Sequence, residues 1–273
     1  MSEIADRFRL DTIYNEDCFI TMGGVPDGSF DTILTSPFYN TNMKASNGRT
    51  LQNTSTKDGQ YDYVRYDTFS DVMTNDAYCE FTRALFEEFN RILKSNGQVL
   101  YNISYGSENT DCMFRAINEI IINTNFSIAD VIGWKKRSAM PNTCSSNKLT
   151  RIFEFVFVFC RKDEIKTFHC NKKVTSIRPT GQKMYEGIMN IIEAPNNDGP
   201  CPYNKATFSS ELCEKLINLY TPYNGVVYDP FMGSGTTAVA CKRTGRYYVG
   251  SEISANQCKW AEDRIAAIDL VAT

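Results

Sequence analysis

The chain has 273 residues, of which 42% are hydrophobic and 22% charged, and its net charge is −3. This length suits one large α/β domain, and no apolar run is long enough to cross a bilayer. The ten cysteines form no C-x2-4-C pair and His169 is the one histidine, so the composition argues against structural metal and membrane insertion and favours free thiols in the cytoplasm.

Seven apolar runs predict β-strands. In chain order they are 11–14, 31–35, 98–103, 127–134, 152–160, 225–230 and 246–250. Helical periodicity lies between several of them, over 78–97, 210–220 and 255–268, and Gly97 is expected to end the first helix. Strands that alternate with helices predict a mostly parallel sheet covered on both faces.

Two long polar stretches do not fit this pattern. Residues 40–70 are rich in Asn, Thr and Gly, and residues 163–200 mix Lys, Gly, Pro and Asn without periodicity. Loops of this length inside a compact domain are usually functional or disordered. Segment 135–183 carries a net charge of +9 and the rest of the chain −12, which fits either a solvated face or a surface that faces a polyanion.

A glycine-containing turn is the most informative local feature. A strand ends at Asp229, Gly233 and Gly235 form a tight turn, a helix begins near Thr236, and a second strand delivers Glu252. An acidic residue at the end of the second strand is placed to accept hydrogen bonds from ribose hydroxyls. The unit therefore predicts a site for a nucleoside-containing cofactor.

The glycine pattern alone does not choose the cofactor. Ala238 stands at the third position of a dinucleotide fingerprint, which tolerates it, so a dinucleotide-dependent oxidoreductase stays open. No Gly-Lys-Ser/Thr follows, which excludes a Walker A loop. Asp229, Pro230 and Phe231 precede the glycines, and an anionic Asp229 would repel phosphate and attract a sulfonium. This favours a methyl donor.

Two segments, SFDTILTSPFYN (29–40) and YDPFMGSGTT (228–237), resemble the amino-group DNA methyltransferases. The catalytic motif of that family, an Asp, Asn or Ser followed by Pro, Pro and an aromatic residue, corresponds here to Ser36, Pro37, Phe38 and Tyr39. Phe38 stands where the family usually has its second proline, and it either supports Tyr39 or faces the core. The catalytic motif precedes the glycine motif, as in the family's β class.

The resemblance implies a fold, a cofactor and a domain order. The fold is a mostly parallel seven-stranded sheet of the S-adenosylmethionine-dependent methyltransferase type with a small irregular recognition lobe. Residues 1–162 would form the catalytic half with a DNA-facing loop at 40–70, 163–200 the lobe, and 201–273 the cofactor half. The residues implied to bind S-adenosylmethionine are Asp17, Cys18, Thr207, Phe208, Asp229, Pro230, Phe231, Gly233, Ser234, Gly235, Thr236 and Glu252.

The chemistry of the family explains the residue types in the catalytic motif. An exocyclic base nitrogen is a poor nucleophile because its lone pair is conjugated into the ring. If Ser36 and the Pro37 carbonyl accept its hydrogens, the lone pair is aimed at the methyl group. Tyr39 would stack on a base swung out of the duplex. In this family Ser at the first position accompanies cytosine-N4 enzymes more often, so cytosine N4 is favoured over adenine N6.

Double-stranded DNA is the implied partner, and homodimers occur in the family. The residues expected to contact phosphates are Lys135, Lys136, Arg137, Arg151, Lys172, Lys173 and Arg178. Two further alternatives stay open. A Pro-Cys pair at Cys201 would suit methylation of cytosine carbon 5 through a cysteine nucleophile, and the basic segment would suit a DNA-binding protein without catalysis.

Overall fold

A computed structural model describes residues 8–40, 73–106, 109–138, 141–143, 146–204 and 207–271. The loop predicted to face DNA, 40–70, lies outside these ranges apart from Asn40.

The described chain contains ten β-strands and six α-helices. The strands are β1 (Thr12–Tyr14), β2 (Phe30–Thr35), β3 (Leu93–Ile103), β4 (Phe126–Lys136), β5 (Phe153–Arg161), β6 (Val174–Ile177), β7 (Lys183–Tyr185), β8 (Ile191–Ala194), β9 (Val226–Asp229) and β10 (Tyr247–Ser251). The helices are α1 (Cys18–Gly23), α2 (Asn75–Ile92), α3 (Asp111–Asn123), α4 (Ser210–Tyr220), α5 (Thr236–Thr244) and α6 (Ala255–Val271).

Eight of the strands form one sheet in the order β1-β10-β9-β2-β3-β5-β4-β8. Within it β5 runs antiparallel to both of its neighbours, and the other pairs are parallel. The seven predicted strands are all present, which confirms the predicted fold class. The eighth, β8, comes from the stretch 163–200 and pairs with β4, with Gly133 opposite Ile191.

Packing on both faces explains why the central strands are apolar throughout. Strand β5 has the sequence FEFVFVFCR, and its residues from Val156 to Cys160 are buried. On one face lies a core that includes Phe86 and Phe159, and on the other face a core that includes Val158 and Leu216. Burial of this extent on both faces is the dominant stabilising contribution in such a sheet.

The first predicted helix ends earlier than its sequence suggested. Helix α2 is capped by the Thr74 hydroxyl, which accepts from the Ala77 N–H at 3.2 Å, and ends at Ile92. Strand β3 begins at once, and Gly97 lies inside it at a shift in register with β2. A Cβ at Gly97 would lie 2.8 Å from the Asp31 carbonyl oxygen, so this glycine allows a close backbone approach and does not end a helix.

The remaining strands form a small hairpin, β6–β7, within the predicted lobe. Its residues Val174 to Ile177 are all exposed. None of the helices in the described ranges is both long and apolar enough to cross a membrane.

Candidate active site

The carboxyl ends of β2, β9 and β10 lie side by side and open into one cleft with about 950 Å³ of open space. In open α/β sheets ligands bind in the crevice outside the carboxyl ends of parallel strands. Ser36 follows β2, Phe231 follows β9 and Glu252 follows β10, and all three line the cleft. Its lining combines apolar side chains with a few polar groups, as is typical of sites for small ligands.

Most of the predicted cofactor residues line this cleft. They are Asp17, Cys18, Thr207, Phe208, Pro230, Phe231, Gly233, Ser234, Thr236 and Glu252. Six lining residues were missed by the sequence reasoning: Phe81, Asn204, Met232, Ser251, Ile253 and Gln257. Met232 and Ser251 lie inside or next to the motifs, so their positions in the sequence could have predicted them. Phe81 comes from α2, and no local signal marks it.

The turn after β9 requires its two glycines. Gly233 has φ +54° and Gly235 has φ +82°, where Gly235 caps the N-terminus of α5. This left-handed region disfavours residues with a Cβ. A Cβ at Gly235 would also lie 2.6 Å from the Ala261 Cβ of α6. Gly235 therefore allows helix α6 to pack against the turn, and it is not among the cleft-lining residues.

Asp229 does not line the cleft, contrary to the expectation that its charge faces a sulfonium. The side chain is fully buried, and its two oxygens accept from the Phe231 N–H at 3.0 Å and the Thr237 hydroxyl at 2.6 Å. Burial raises the pKa of Asp229 to about 6, against the lowering effect of these hydrogen bonds. The carboxyl group therefore stabilises the turn from a position outside the cleft.

Glu252 lies at the wall of the cleft with its carboxylate fixed. One oxygen accepts from the Gly233 N–H and the other from the Ser254 N–H, both at 2.8 Å. A carboxylate has about four acceptor sites, so such a group can accept from hydroxyls as well as from backbone N–H groups. Asn15 donates to the Glu252 carbonyl at 2.8 Å and fixes the NEDC segment (residues 15–18), which contains Asp17 and Cys18, beside β10.

A group of polar side chains, termed here the hydroxyl cluster, lies at the edge of the cleft around Ser36. Its members are Ser36, Tyr39, Asn102, Lys136 and Glu154. The Ser36 and Tyr39 hydroxyl oxygens are 3.1 Å apart, and both lie within hydrogen-bond distance of Asn102 Oδ1, at 3.2 and 3.0 Å. The Tyr39 hydroxyl is also 3.0 Å from Glu154 Oε2, and Lys136 Nζ is 2.5 Å from Glu154 Oε1.

Sequence reasoning found Ser36 and Tyr39 as motif members and Lys136 as a phosphate contact, and it missed Asn102 and Glu154. Asn102 lies 66 residues after Ser36 on β3, and Glu154 lies on β5. Two signals were present. Asn102 is a polar residue at the carboxyl end of a predicted strand, and Glu154 is the one charged residue within the apolar run 152–160.

Phe38 contributes to the core and to the cleft wall. Its side chain is 7% exposed, and its ring lies 5.3 Å from the ring centroids of both Tyr78 and Phe81 and 6.5 Å from that of Phe231. The Tyr78 hydroxyl donates to the Phe38 carbonyl at 2.7 Å. Of the two roles expected for Phe38, the geometry favours packing. Pro37 is also buried.

Three of the seven predicted phosphate contacts are engaged in ion pairs. Lys135 pairs with Glu193 at 2.8 Å, Lys136 with Glu154, and Arg137 with Glu211 at 2.6 Å. The two lysines link β4 to β8 and β5, and Arg137, which follows β4, contacts α4, so all three cations have partners within the protein.

The other four predicted contacts lie elsewhere. Arg151 donates to the Tyr105 carbonyl and lies 5.1 Å from the centroid of the Tyr105 ring. Lys172, Lys173 and Arg178 are exposed at the hairpin β6–β7. The basic segment is therefore two regions, one with paired charges and one that presents charge to solvent.

Cys201 does not suit the role of a nucleophile in this cleft. The side chain is 6% exposed and is not among the residues that line the cleft. Among the described residues, no group of three or more His, Cys, Asp or Glu could hold a metal ion.

Comparison with known proteins identifies the family whose motifs the chain carries. A family model described as DNA methylase, of the N6/N4 type, matches residues 30–263. Type II methyltransferase M.HinfI of Haemophilus influenzae is 26% identical over 95% of this chain and 69% of its own length. Type II methyltransferase M.BglII of Bacillus subtilis is 24% identical over 89% of this chain and 66% of its own length.

Solved structures share the fold. The PvuII DNA methyltransferase, cytosine-N4-specific, has a TM-score of 0.66 at 17% identity and covers 93% of this chain and 85% of its own. The M1.HpyAVI–SAM complex has a TM-score of 0.59 at 21% identity, with 93% and 98% covered. At these identities the match establishes the α/β architecture with its mostly parallel sheet.

Proposed function

The chain belongs to the DNA methylase family of the N6/N4 type, and on that premise we propose that it methylates the N4 amino group of a cytosine flipped out of duplex DNA. Membership of this family alone establishes the general activity. The protein is an S-adenosylmethionine-dependent DNA methyltransferase that acts on an exocyclic amino group. The assignment of cytosine and the roles of individual residues are the proposal.

The cleft fits the cofactor. A sulfonium nucleoside needs acceptors for its ribose hydroxyls and an apolar wall for its base. Glu252 supplies a carboxylate whose orientation two backbone N–H groups fix. Phe81 and Phe231 supply aromatic surface, with ring centroids 6.1 Å apart. We assign Glu252 to the ribose hydroxyls and the NEDC segment, which Asn15 fixes, to the adenine.

The observation that best supports this proposal is that Ser36 lines the cleft and also belongs to the hydroxyl cluster. When bound, the cofactor supplies an electrophilic methyl group. Ser36 Oγ and the Pro37 carbonyl accept the two hydrogens of the base amine and direct its lone pair into the cleft. Tyr39 stacks its half-buried ring on the flipped base. No covalent link to the protein is needed.

Cytosine is proposed as the base because the motif begins with Ser36. The catalytic motif that this chain resembles begins with Ser more often in cytosine-N4 enzymes and with Asp more often in adenine-N6 enzymes. Both bases present an exocyclic amine, so the same residues serve either reaction. Identification of the product therefore decides between them.

The lobe 163–200 is proposed as the element that recognises the target sequence, between a catalytic half and a cofactor half of one domain. The exposed Lys172, Lys173 and Arg178 of its hairpin supply phosphate contacts. A DNA substrate implies the bacterial cytoplasm as the place of action. Light scattering on the complex with a duplex would tell whether one or two chains bind each site.

The test is methylation of unmodified DNA with methyl-labelled S-adenosylmethionine, followed by digestion to nucleosides and mass identification. Labelled N4-methylcytosine supports the proposal, and labelled N6-methyladenine contradicts the choice of base. Ser36→Ala should lower the rate about 100-fold because it removes one acceptor of the amine. Ser127→Ala, which changes a half-buried serine of β4 outside the cleft, should leave the rate unchanged.

A further inference from the structure

The hydrogen bonds of the hydroxyl cluster extend beyond the catalytic motif to Asn102 and Glu154. Asn102 Nδ2 donates to the Phe155 carbonyl at 3.0 Å, which turns Asn102 Oδ1 toward the two hydroxyls. Asn102 can therefore accept from Ser36 and Tyr39 and cannot donate to them. Lys136 holds one oxygen of Glu154, and the other oxygen faces the Tyr39 hydroxyl. The Tyr39 hydroxyl can thus donate to Glu154 Oε2, and the Ser36 hydroxyl can donate either to Asn102 Oδ1 or to the Tyr39 oxygen.

This arrangement determines what Ser36 offers to the cleft. If its own proton is held inside the cluster, its remaining lone pair points outward and can accept from a base amine. Hydrogen bonds in a chain polarise one another, so a carboxylate at the far end makes the first hydroxyl a better acceptor. The neutral serine of this motif has no charge of its own, and Glu154 is the carboxylate that reaches it through Tyr39.

We propose that Glu154, held by Lys136, acts through the Tyr39 and Ser36 hydroxyls to strengthen Ser36 as an acceptor and to receive the proton that the base amine loses. This inference rests on the proposed function. Because Glu154 contacts no reacting atom, it is a positioning residue. The two contacts that carry it are the oxygen distances of 3.1 Å from Ser36 to Tyr39 and 3.0 Å from Tyr39 to Glu154.

The amine nitrogen bonds to the methyl carbon while the carbon–sulfur bond breaks and its electron pair goes to sulfur, which leaves the nitrogen positively charged. One nitrogen proton then moves to Ser36 Oγ, the Ser36 proton moves to the Tyr39 oxygen, and the Tyr39 proton moves to Glu154 Oε2. The amine and Glu154 end neutral, and both hydroxyls are restored.

The experiment compares single-turnover methylation at saturating DNA and cofactor in wild type and Glu154→Gln. The substitution keeps the shape of the side chain and removes its charge, so we expect the rate constant to fall at least tenfold. The dissociation constants of S-adenosylmethionine and DNA should stay within twofold, because Glu154 does not line the cofactor cleft. An unchanged rate constant would overturn the proposal.

A matched control is Glu193→Gln. Glu193 pairs with Lys135, the neighbour of Lys136, at 2.8 Å, so this change also removes a carboxylate from an ion pair between β4 and an adjacent element. Its rate constant should equal that of wild type. An equal loss in both variants would mean that the ion pairs act through the sheet, which also overturns the relay.

The Tyr39→Phe variant tests whether Glu154 acts through the Tyr39 hydroxyl. Without the Tyr39 hydroxyl, Glu154→Gln should change the rate constant less than twofold, whereas a full tenfold loss would show that Glu154 acts by another path. Tyr39→Phe alone, which keeps the Glu154–Lys136 pair, covers the case in which Glu154→Gln does not fold, and it should lose at least tenfold. A wild-type rate in Tyr39→Phe contradicts the relay.

A further readout needs neither cofactor nor activity. The free energies of unfolding of wild type, Glu154→Gln, Tyr39→Phe and the double variant form a thermodynamic cycle. Coupling between the two changes supports the contact, and additivity would overturn it. If wild type labels no base at all, the proposed function fails, and this cycle still decides whether the hydroxyl cluster is linked as inferred.

Discussion

The turn after β9, which carries Gly233 and Gly235, and the hydroxyl cluster lie at the same end of the sheet and hold a carboxyl group in opposite ways. In the turn, Asp229 is fully buried and accepts from the Phe231 N–H and the Thr237 hydroxyl, and none of the described groups that shift its pKa is a cation. In the cluster, Glu154 is paired with Lys136 and linked to Tyr39. The turn comes from one short segment, whereas the cluster comes from distant strands.

The two regions differ in where the partners of the carboxyl group come from. A turn can satisfy a carboxylate from its own backbone, because neighbouring N–H groups are already in place. Hydrogen bonds from neutral donors do not remove the cost of burying charge, so the pKa of Asp229 is raised. The cluster instead supplies a cation, Lys136, from another strand, and the carboxylate of Glu154 also contacts the Tyr39 hydroxyl.

Phe38 joins the two regions, and its replacement should have the largest effect. The ring lies between Tyr78 of α2 and Phe231 of the turn. Phe38→Ala should lower the free energy of unfolding by about 4 kcal/mol, as for other buried aromatic truncations. Urea unfolding at equilibrium measures this, and Phe38→Leu should retain most of the stability. Full stability with lost activity in Phe38→Ala would instead make Phe38 a catalytic residue.

Gly235 tests whether the turn is as constrained as its geometry indicates. Gly235→Ala forces a Cβ into a conformation with φ +82° and into contact with Ala261, which should cost about 3 kcal/mol of unfolding free energy. Cofactor affinity, measured by calorimetry, should fall with it. The matched control is Gly187→Ala, because a Cβ at Gly187 meets no atom within 4 Å. Equal stability of the two variants would contradict the strain argument.

The same contrast explains which parts of the site the sequence predicts. The turn from Asp229 to Glu252 is one strand-turn-helix-strand unit, so residue spacing alone carries its geometry. Six of the ten cleft-lining cofactor candidates lie in this unit, and the other four come from the family resemblance alone. Asp229 was assigned to the cleft and faces away from it, because spacing does not tell on which side of a turn a buried carboxyl group lies.

The cluster could be predicted only in part. Tyr39 and Glu154 are 115 residues apart, and their contact depends on the order β2-β3-β5, which no local pattern encodes. The same holds for β8, which adds an eighth strand through parallel pairing with β4. The helix end was misplaced because Gly97 is typical of both a helix C-terminus and a register shift in a strand.

The pH dependence of the free energy of unfolding tests how the turn holds the carboxyl group of Asp229. The pKa of Asp229 is raised by burial from 3.8 to about 6. Its contribution is fully present below about pH 3.8, where both states hold the proton, and is lost as the pH rises through about 6. The loss is on the order of 3 kcal/mol above that range.

The measurement is urea unfolding of wild type and Asp229→Asn between pH 4 and pH 7. The wild-type free energy should decline relative to the variant across this range, because the variant carries no titrating group at position 229. A constant difference between the two would show that Asp229 keeps an ordinary pKa. The turn would then stabilise the charged form of Asp229.

The smallest expected effect separates cations that are paired from cations that face solvent. Lys172 and Lys173 are exposed at the hairpin, whereas Lys135 is paired with Glu193 at 2.8 Å. Replacing either hairpin lysine by Ala should weaken DNA binding by on the order of 1 kcal/mol and lower the slope of log affinity against log salt by about 0.9.

Lys135→Ala should change that slope less, because Lys135 is paired with Glu193 within the protein and only cations that neutralise phosphates contribute to the slope. Fluorescence anisotropy of a labelled duplex at several salt concentrations measures all three variants. A full loss of slope in Lys135→Ala alone would mean that its ion pair opens on DNA. Phosphate binding would then lie along β4, next to Lys136 and the hydroxyl cluster, rather than on the hairpin.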